Sequence, residues 1–224
     1  MKNRYDRNID ALTLAESEAL RGKKVCVVGC GGLGGYILEF LLRLGIGHIT
    51  AIDGDCFDVT NLNRQLLSDE RFIGESKAFI AKERAKAVNS QVDVSVFHTF
   101  LTEENAEGLL KDHDLVIDAV DNIPARKIMG KACDKLGIPL VYGAIQGWYA
   151  QISLILPGSP LLDILYPDSG VATNKSSLSF TPAVCASYQV AEAVKYLCGR
   201  ECSLIGKVLY VDLLSMENDL VEFC

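Results

Sequence analysis

KVCVVGCGGLGG, residues 24–35, decides the fold. Lys24 to Val28 is a short β-branched run of the kind that forms a strand buried on both faces. Gly29-Cys30-Gly31-Gly32-Leu33-Gly34 follows at once and matches G-x-G-x-x-G. Such glycines let a backbone approach phosphate closely, and the helix that follows presents its N-terminal N–H groups to the same place. Apolar residues at Ile37, Leu38, Leu41, Leu42 and Leu44 keep helical spacing, and Gly45 and Gly47 end it. Strand, glycine loop and helix in this order predict a nucleotide-binding α/β sheet.

The pattern extends outward from there. His48 to Asp53 is the next expected strand, followed by an irregular polar stretch and a helix over Lys77–Val88. A strand over Val92–Phe97, a short helix over Asn105–Lys111, a strand over Leu115–Val120 and a helix to about Leu136 come next. This alternation predicts a parallel sheet covered on both faces. After Pro139 the rhythm changes. Pro139–Tyr142 and Gln151–Leu156 read as buried strands joined by a glycine-bearing turn, and Lys207–Leu213 and Leu220–Phe223 as a second pair. Between the pairs lie a polar, irregular stretch over Ser169–Thr181 and a helix from Pro182 to about Leu197, with proline in its first turn. The expected fold class is α/β: a Rossmann-like, mostly parallel sheet with an antiparallel C-terminal extension and helices on both faces.

Composition narrows the chemistry. The chain has 224 residues, 49% apolar and 23% charged, with a formal charge of −7. The acidity argues against a broad nucleic-acid or anionic-membrane surface, so any cations used on phosphate are few and local. None of the eight cysteines forms a CxxC pair, which excludes a zinc ribbon of that type. They read as reduced thiols of a cytoplasmic protein. The start, MKNRYDRNID, is polar and lacks the apolar run of a signal peptide. Leu136–Leu162 holds no charged residue, but three prolines, Gly143, Gly147, Gly158, Gln146 and Gln151 argue against a membrane helix.

Asp53 closes the second strand 24 residues after Gly29, where a ribose-binding acid belongs. Up to this point NAD would fit. The residues that follow do not suit it. Asn61-Leu62-Asn63-Arg64-Gln65 and Lys77 place cations and amides beyond the nucleotide strand. Splitting a triphosphate between its α and β phosphorus builds charge that needs such side-chain cations and usually Mg²⁺. Asp121-Asn122 ends the strand LVIDAV, where a carboxylate can hold Mg²⁺ between phosphates; the competing reading makes Asp121 the N-cap of the next helix. Asp118, inside the strand, reads as structural.

Together these segments resemble the ThiF/MoeB/HesA superfamily, which also supplies the adenylation domain of ubiquitin-activating enzymes. The matching residues are Gly29–Gly34, Asp53-Gly54-Asp55, Asn61–Gln65, Gly74–Lys77, and Asp121-Asn122 with Ala125-Arg126; Arg4-Tyr5-Asp6-Arg7 resembles the family's N-terminal segment. The resemblance implies ATP-dependent adenylation of the C-terminal glycine carboxylate of a ubiquitin-like sulfur-carrier protein, with release of pyrophosphate. It implies ATP contacts from Gly29, Gly31, Gly32, Gly34, Asp53, Asp55, Asn61, Arg64, Gln65, Lys77, Asp121 and Asn122, with Mg²⁺ on Asp121. Arg64, Lys77 and Asp121 would act in catalysis together with Arg7, the last reaching into a partner subunit of a homodimer. Gly143 and Gly147 are expected to leave room for the carrier's tail. The implied organisation is one adenylation domain over 1–224: an N-terminal arm and helix (1–22), a nucleotide-binding half (23–138) and a carrier-binding and dimer half (139–224).

The chain departs from the family in two ways. The CxxC pairs that hold structural zinc in many relatives are missing, so no zinc site is expected. Thr173–Thr181, where thioester-forming relatives often place a cysteine, contains none. Cys185 then reads as a packed residue three positions into its helix, and activation by adenylation alone is favoured. Two further readings stay open: a tRNA threonylcarbamoyladenosine dehydratase using the same chemistry, which the lack of a basic stripe disfavours, and a non-catalytic scaffold subunit, which the retained Arg64, Lys77 and Asp121 disfavour.

Overall fold

A computed structural model of the chain describes residues 3–167 and 176–223. The expected strand–glycine–helix unit is its centre. β1 (Lys24–Val28) is buried on both sides, with Val25 and Val27 in one core and Cys26 and Val28 in the other. It lies between β2 (His48–Ile52) and β4 (Leu115–Asp118), both parallel to it. β3 (Asp93–Phe97) extends the parallel array beyond β2, and β5 (Leu140–Gln146) beyond β4. β6 (Tyr149–Ile155), β7 (Lys207–Asp212) and β8 (Glu217–Glu222) continue it as antiparallel neighbours. The sheet order is β3-β2-β1-β4-β5-β6-β7-β8, with helices on both faces. The expected fold class is therefore the observed one.

Helices α1 (Leu14–Arg21), α2 (Gly32–Leu44), α3 (Lys77–Val88) and α7 (Phe180–Leu197) contribute to one core; α4 (Ala106–Leu110), α5 (Ile123–Leu136) and α6 (Leu161–Leu165) contribute to the other. Local signals account for most of their ends. Thr13 and Glu16 form a capping box at the start of α1. Gly45 ends α2 at φ 82°, and Gly137 ends α5 at φ 68°, both left-handed turns that favour glycine.

The larger differences from the sequence reading have local reasons. β4 stops at Asp118, because the Asp118 carboxylate accepts a bond from Val120 N at 3.0 Å and turns the chain. β5 and β6 form one long hairpin about Gly147-Trp148; Gly143 to Gln146, which carry no β-branched run, are held by pairing with Tyr149–Ile152. β8 begins at Glu217, since an exposed edge strand can be polar. α7 begins at Phe180, two residues before Pro182. Proline is tolerated there because N–H groups of a first turn have no intrahelical partner. Cys185 is consequently the sixth residue of α7. α6 has no counterpart in the sequence reading. Of the irregular stretch expected over Ser169–Thr181, 169–175 lies outside the described residues. No helix among the described residues is long and apolar enough to cross a membrane.

Candidate active site

A cleft of about 1080 Å³ opens at the carboxyl ends of β1, β2 and β4, where the strand order reverses. Its wall collects Gly29, Gly31, Gly32, Asp53, Asp55, Arg64, Gln65, Lys77, Asp121 and Asn122. Ten expected site residues, spread over more than ninety positions of sequence, thus meet at one place.

The glycines divide into two kinds. A Cβ on Gly29 would fall 2.4 Å from Ala119 O, and one on Gly34 would fall 1.8 Å from Gly29 O. These two let α2 pack onto the loop and β4, and Gly34 stands outside the cleft wall. Gly31 and Gly32 would meet nothing closer than 3.5 and 3.6 Å. Their missing side chains leave space on the cleft side. Gly31 is the N-cap of α2 and supplies no side-chain cap, so the first amides of α2 lack that acceptor. An anionic group at this helix start would satisfy them.

Asp53 braces the loop. Its Oδ2 accepts from Cys30 N at 2.6 Å and its Oδ1 from Asp55 N at 2.8 Å. Burial raises its carboxyl above the ordinary value, while the two backbone donors and Lys77 oppose the rise. Lys77, 7% exposed, is the first residue of α3, whose N-cap Ser76 accepts from Phe79 N. Its Nζ lies 3.1 Å from Asp55 Oδ2, so a buried cation is held at the cleft by a largely exposed carboxylate. Arg64 is tethered by NH1 to Thr60 O and Asn63 Oδ1, each at 2.9 Å. Gln65 is buried beside Gly31, and its Oε1 has no hydrogen-bond partner among the described residues.

After β4 the competing reading of Asp121 resolves. The N-cap of α5 is Asn122, whose Oδ1 accepts from Ala125 N at 2.9 Å. Asp121, one residue earlier, is exposed on the cleft wall.

Four further expected residues lie off this wall, and for Arg7 that agrees with a place in a partner's cleft rather than its own. Asn61 is buried away from the cleft wall and its Oδ1 accepts from Asp58 N, which builds the turn before Arg64. Arg7 is exposed in the turn Asp6–Asn8; neighbouring Tyr5 packs on Gly45, at the opposite end of α2 from the glycine loop, about 20 Å away by helix geometry. Gly143 does not open the cleft. A Cβ there would lie 2.3 Å from the Gln189 amide on the α7 side of the sheet. Gly147 serves the hairpin turn at φ 57°.

Cys185 is fully buried, its Sγ facing the carbonyls of Ala144 and Gln151. Burial pushes its thiol far up, which leaves it protonated and poorly nucleophilic. Cys26 and Cys133 are likewise buried and raised, Cys133 to about 12.

Sequence reading missed the far half of the cleft, the uncovered face of β5–β8. Two cross-strand rows form its floor: Gln146, Tyr149, Asp212, Glu217, and Ala144, Gln151, Tyr210, Asp219. The period-two alternation within each strand carried the facing of these side chains, but strand register, which builds the rows, is not written in any one segment. Beneath the floor, Asp118 and Arg126 form a buried ion pair at 2.6 Å. Burial raises the Asp118 carboxyl, and Arg126 opposes that rise.

The comparisons agree with this geometry. The model of the ThiF family matches residues 5–223. The chain is 37% identical over 209 residues to the sulfur carrier protein adenylyltransferase of Thermus thermophilus, covering 88% of this chain and 77% of that protein. It is 34% identical to adenylyltransferase and sulfurtransferase MOCS3-1 of Zea mays, over 91% of this chain and 45% of that longer protein. Among solved structures, E. coli MccB with ATP superposes with a TM-score of 0.86 over all of this chain and 71% of its own, at 20% identity, which speaks to fold alone. Family model, relatives and cleft converge, and the chain belongs to the ThiF family.

Proposed function

We propose that this chain is an ATP-dependent adenylyltransferase that activates the C-terminal glycine carboxylate of a ubiquitin-like sulfur carrier. The observation that carries the reading is one continuous cleft. It runs from the uncapped start of α2, past Lys77 and Asp121, to the open face of β5–β8. A triphosphate fits the first end and an extended peptide tail the second.

In this reading the amides at the start of α2 hold phosphate and Asp53 holds the ribose. Arg64 and Lys77 neutralise charge as it grows on the departing pyrophosphate. Among the described residues no cluster of three or more His, Cys, Asp or Glu side chains is placed to hold a metal by itself. Asp121 as a single carboxylate suits Mg²⁺, which takes its other ligands from phosphate and water. The bound ion would add positive charge at the phosphates. The carrier's carboxylate oxygen attacks the α-phosphorus, the bond from that phosphorus to the bridging oxygen breaks, and pyrophosphate leaves. The carboxylate is already ionised, so positioning and charge stabilisation suffice and no general base is required. Asp212, Glu217 and Asp219 on the outer floor favour a protein tail over a tRNA polyanion.

Arg7 lies outside the cleft of its own chain, so a part in the chemistry requires a second copy; we assign it that role in a cytoplasmic homodimer. The test is ATP–pyrophosphate exchange with ubiquitin-like sulfur carriers ending in Gly-Gly, each with a free and an amidated C-terminus. Exchange that needs the free carboxylate is expected, and exchange indifferent to it overturns the reading. Mixed Arg7→Ala and Asp121→Ala subunits should regain part of the activity both lack alone. No recovery after demonstrated subunit exchange removes Arg7 from the neighbouring site.

A further inference from the structure

We propose that Gln151 is a specificity residue that donates its amide N–H groups to an oxygen of the acyl substrate, and that Arg126, Tyr166 and Tyr142 are positioning residues that orient it; the inference rests on the adenylation reading. Four hydrogen bonds leave the Arg126 guanidinium: Nε to Asp118 Oδ2 at 2.6 Å, NH2 to Val120 O at 3.0 Å and Gly143 O at 3.1 Å, and NH1 to Tyr166 Oη at 2.9 Å. A guanidinium only donates. Tyr166 Oη therefore accepts from Arg126 and keeps its own proton to donate. The next oxygen is Tyr142 Oη at 2.7 Å, and Tyr142 in turn donates to Gln151 Oε1 at 2.9 Å.

With Tyr142 donating to Gln151 Oε1, its own oxygen accepts from Tyr166, and protons run from a permanent cation to the Gln151 carbonyl oxygen. With that oxygen engaged, the amide NH2 is the end left to face the cleft that Gln151 lines. A pair of N–H donors on the floor, flanked by Ala144 and Tyr210, matches a backbone carbonyl or the terminal carboxylate of an extended tail crossing β5–β7. Packing keeps the chain rigid. Tyr142 is fully buried, and the Arg126 guanidinium lies 5.1 and 5.3 Å from the Tyr142 and Tyr166 ring centroids. The same guanidinium holds Val120 O, next to Asp121, while Asp118 Oδ1 holds Val120 N. One side chain thus joins the turn that carries Asp121 to the residue that receives the acyl substrate, and relative placement of the two reactants is what an in-line transfer needs.

The experiment is exchange kinetics on the full chain with a Gly-Gly-ending carrier. Three variants are compared with wild type: Tyr166→Phe, Gln151→Leu and the two combined. Tyr166→Phe keeps the ring and removes one hydroxyl. It should raise the carrier KM by about 2- to 12-fold, the range for one hydrogen bond, with the ATP KM unchanged. Gln151→Leu should raise it at least as far. The double variant should match Gln151→Leu alone, because an orienting chain has nothing left to orient. Additive effects, or equal rises in the ATP and carrier KM, would mean general loosening and overturn the proposal. Wild-type exchange with an unchanged Tyr166→Phe overturns the orienting chain but leaves the adenylation reading intact. Wild type inert with every carrier overturns both.

Discussion

Arg126→Met removes the partner of Asp118 and leaves a carboxylate with no exposure at all in the sheet. Breaking a buried pair from one side costs about 3–5 kcal/mol, because the remaining charge stays desolvated. For a domain of this size each kcal/mol lowers the melting temperature by about 2–4 °C, so the fall should be about 6–20 °C. Two internal checks separate this cause from lost packing. In the variant, burial still raises the Asp118 carboxyl and no guanidinium opposes it. Its folded-state pKa then lies above the unfolded one, and such a group favours the folded state when protonated. The gap to wild type should narrow as pH falls toward 4 and widen as pH rises toward 7. Adding Asp118→Asn removes the stranded charge and keeps an acceptor for Val120 N. The double variant should recover roughly half of the loss, with about 1 kcal/mol still missing for each carbonyl, Val120 O and Gly143 O, that has lost its donor. Scanning calorimetry and urea titration on the three proteins read all of this. A single variant within about 1 kcal/mol of wild type, or a gap that grows on acidification, would refute the reasoning.

Other sites give independent expectations. Arg200 and the α1 cap hold the Glu16 carboxyl down at about 2, so its contribution is present at neutral pH and lost as pH falls below about 4.5; melting curves of wild type and Glu16→Gln should differ at pH 7 and coincide near pH 2. Gly34→Ala places a methyl 1.8 Å from Gly29 O and should destabilise by about 1–3 kcal/mol or more while displacing the glycine loop, visible as a lower melting temperature together with weaker ATP binding by calorimetry. Lys77→Met should lower kcat/KM for ATP by about 10²- to 10³-fold in steady-state exchange, the scale of one preorganised charge-stabilising group.

How much of this was legible depended on how local each signal was. The 24–35 stretch specified strand, loop and helix because its glycines and its valines act within a dozen residues. Asp53, Lys77 and Asp121 could be placed at the cleft from sequence since each lies just past a strand or starts a helix, and in a doubly wound sheet those ends point at one crevice. At Asn61 an amide between Asp58 and Arg64 reads equally as ligand contact or turn clamp, and only the folded chain shows the clamp, a bond from Asp58 N to its Oδ1. Gly143 could not be placed from its own segment either: its missing side chain faces Gln189, a residue forty-six positions later on another element. The floor rows and the path from Arg126 to Gln151 depend on pairings among strands and helices far apart in sequence. No single segment encodes them, although Arg126 already stood within the motif that follows Asp121.

The central claim is tested most directly by ATP–pyrophosphate exchange in wild type and Asp121→Ala, each with and without a Gly-Gly-ending sulfur carrier. The account predicts exchange in wild type only when the carrier is present, and its loss in Asp121→Ala with the protein still folded. Exchange that proceeds without a carrier, or that survives Asp121→Ala undiminished, would contradict it.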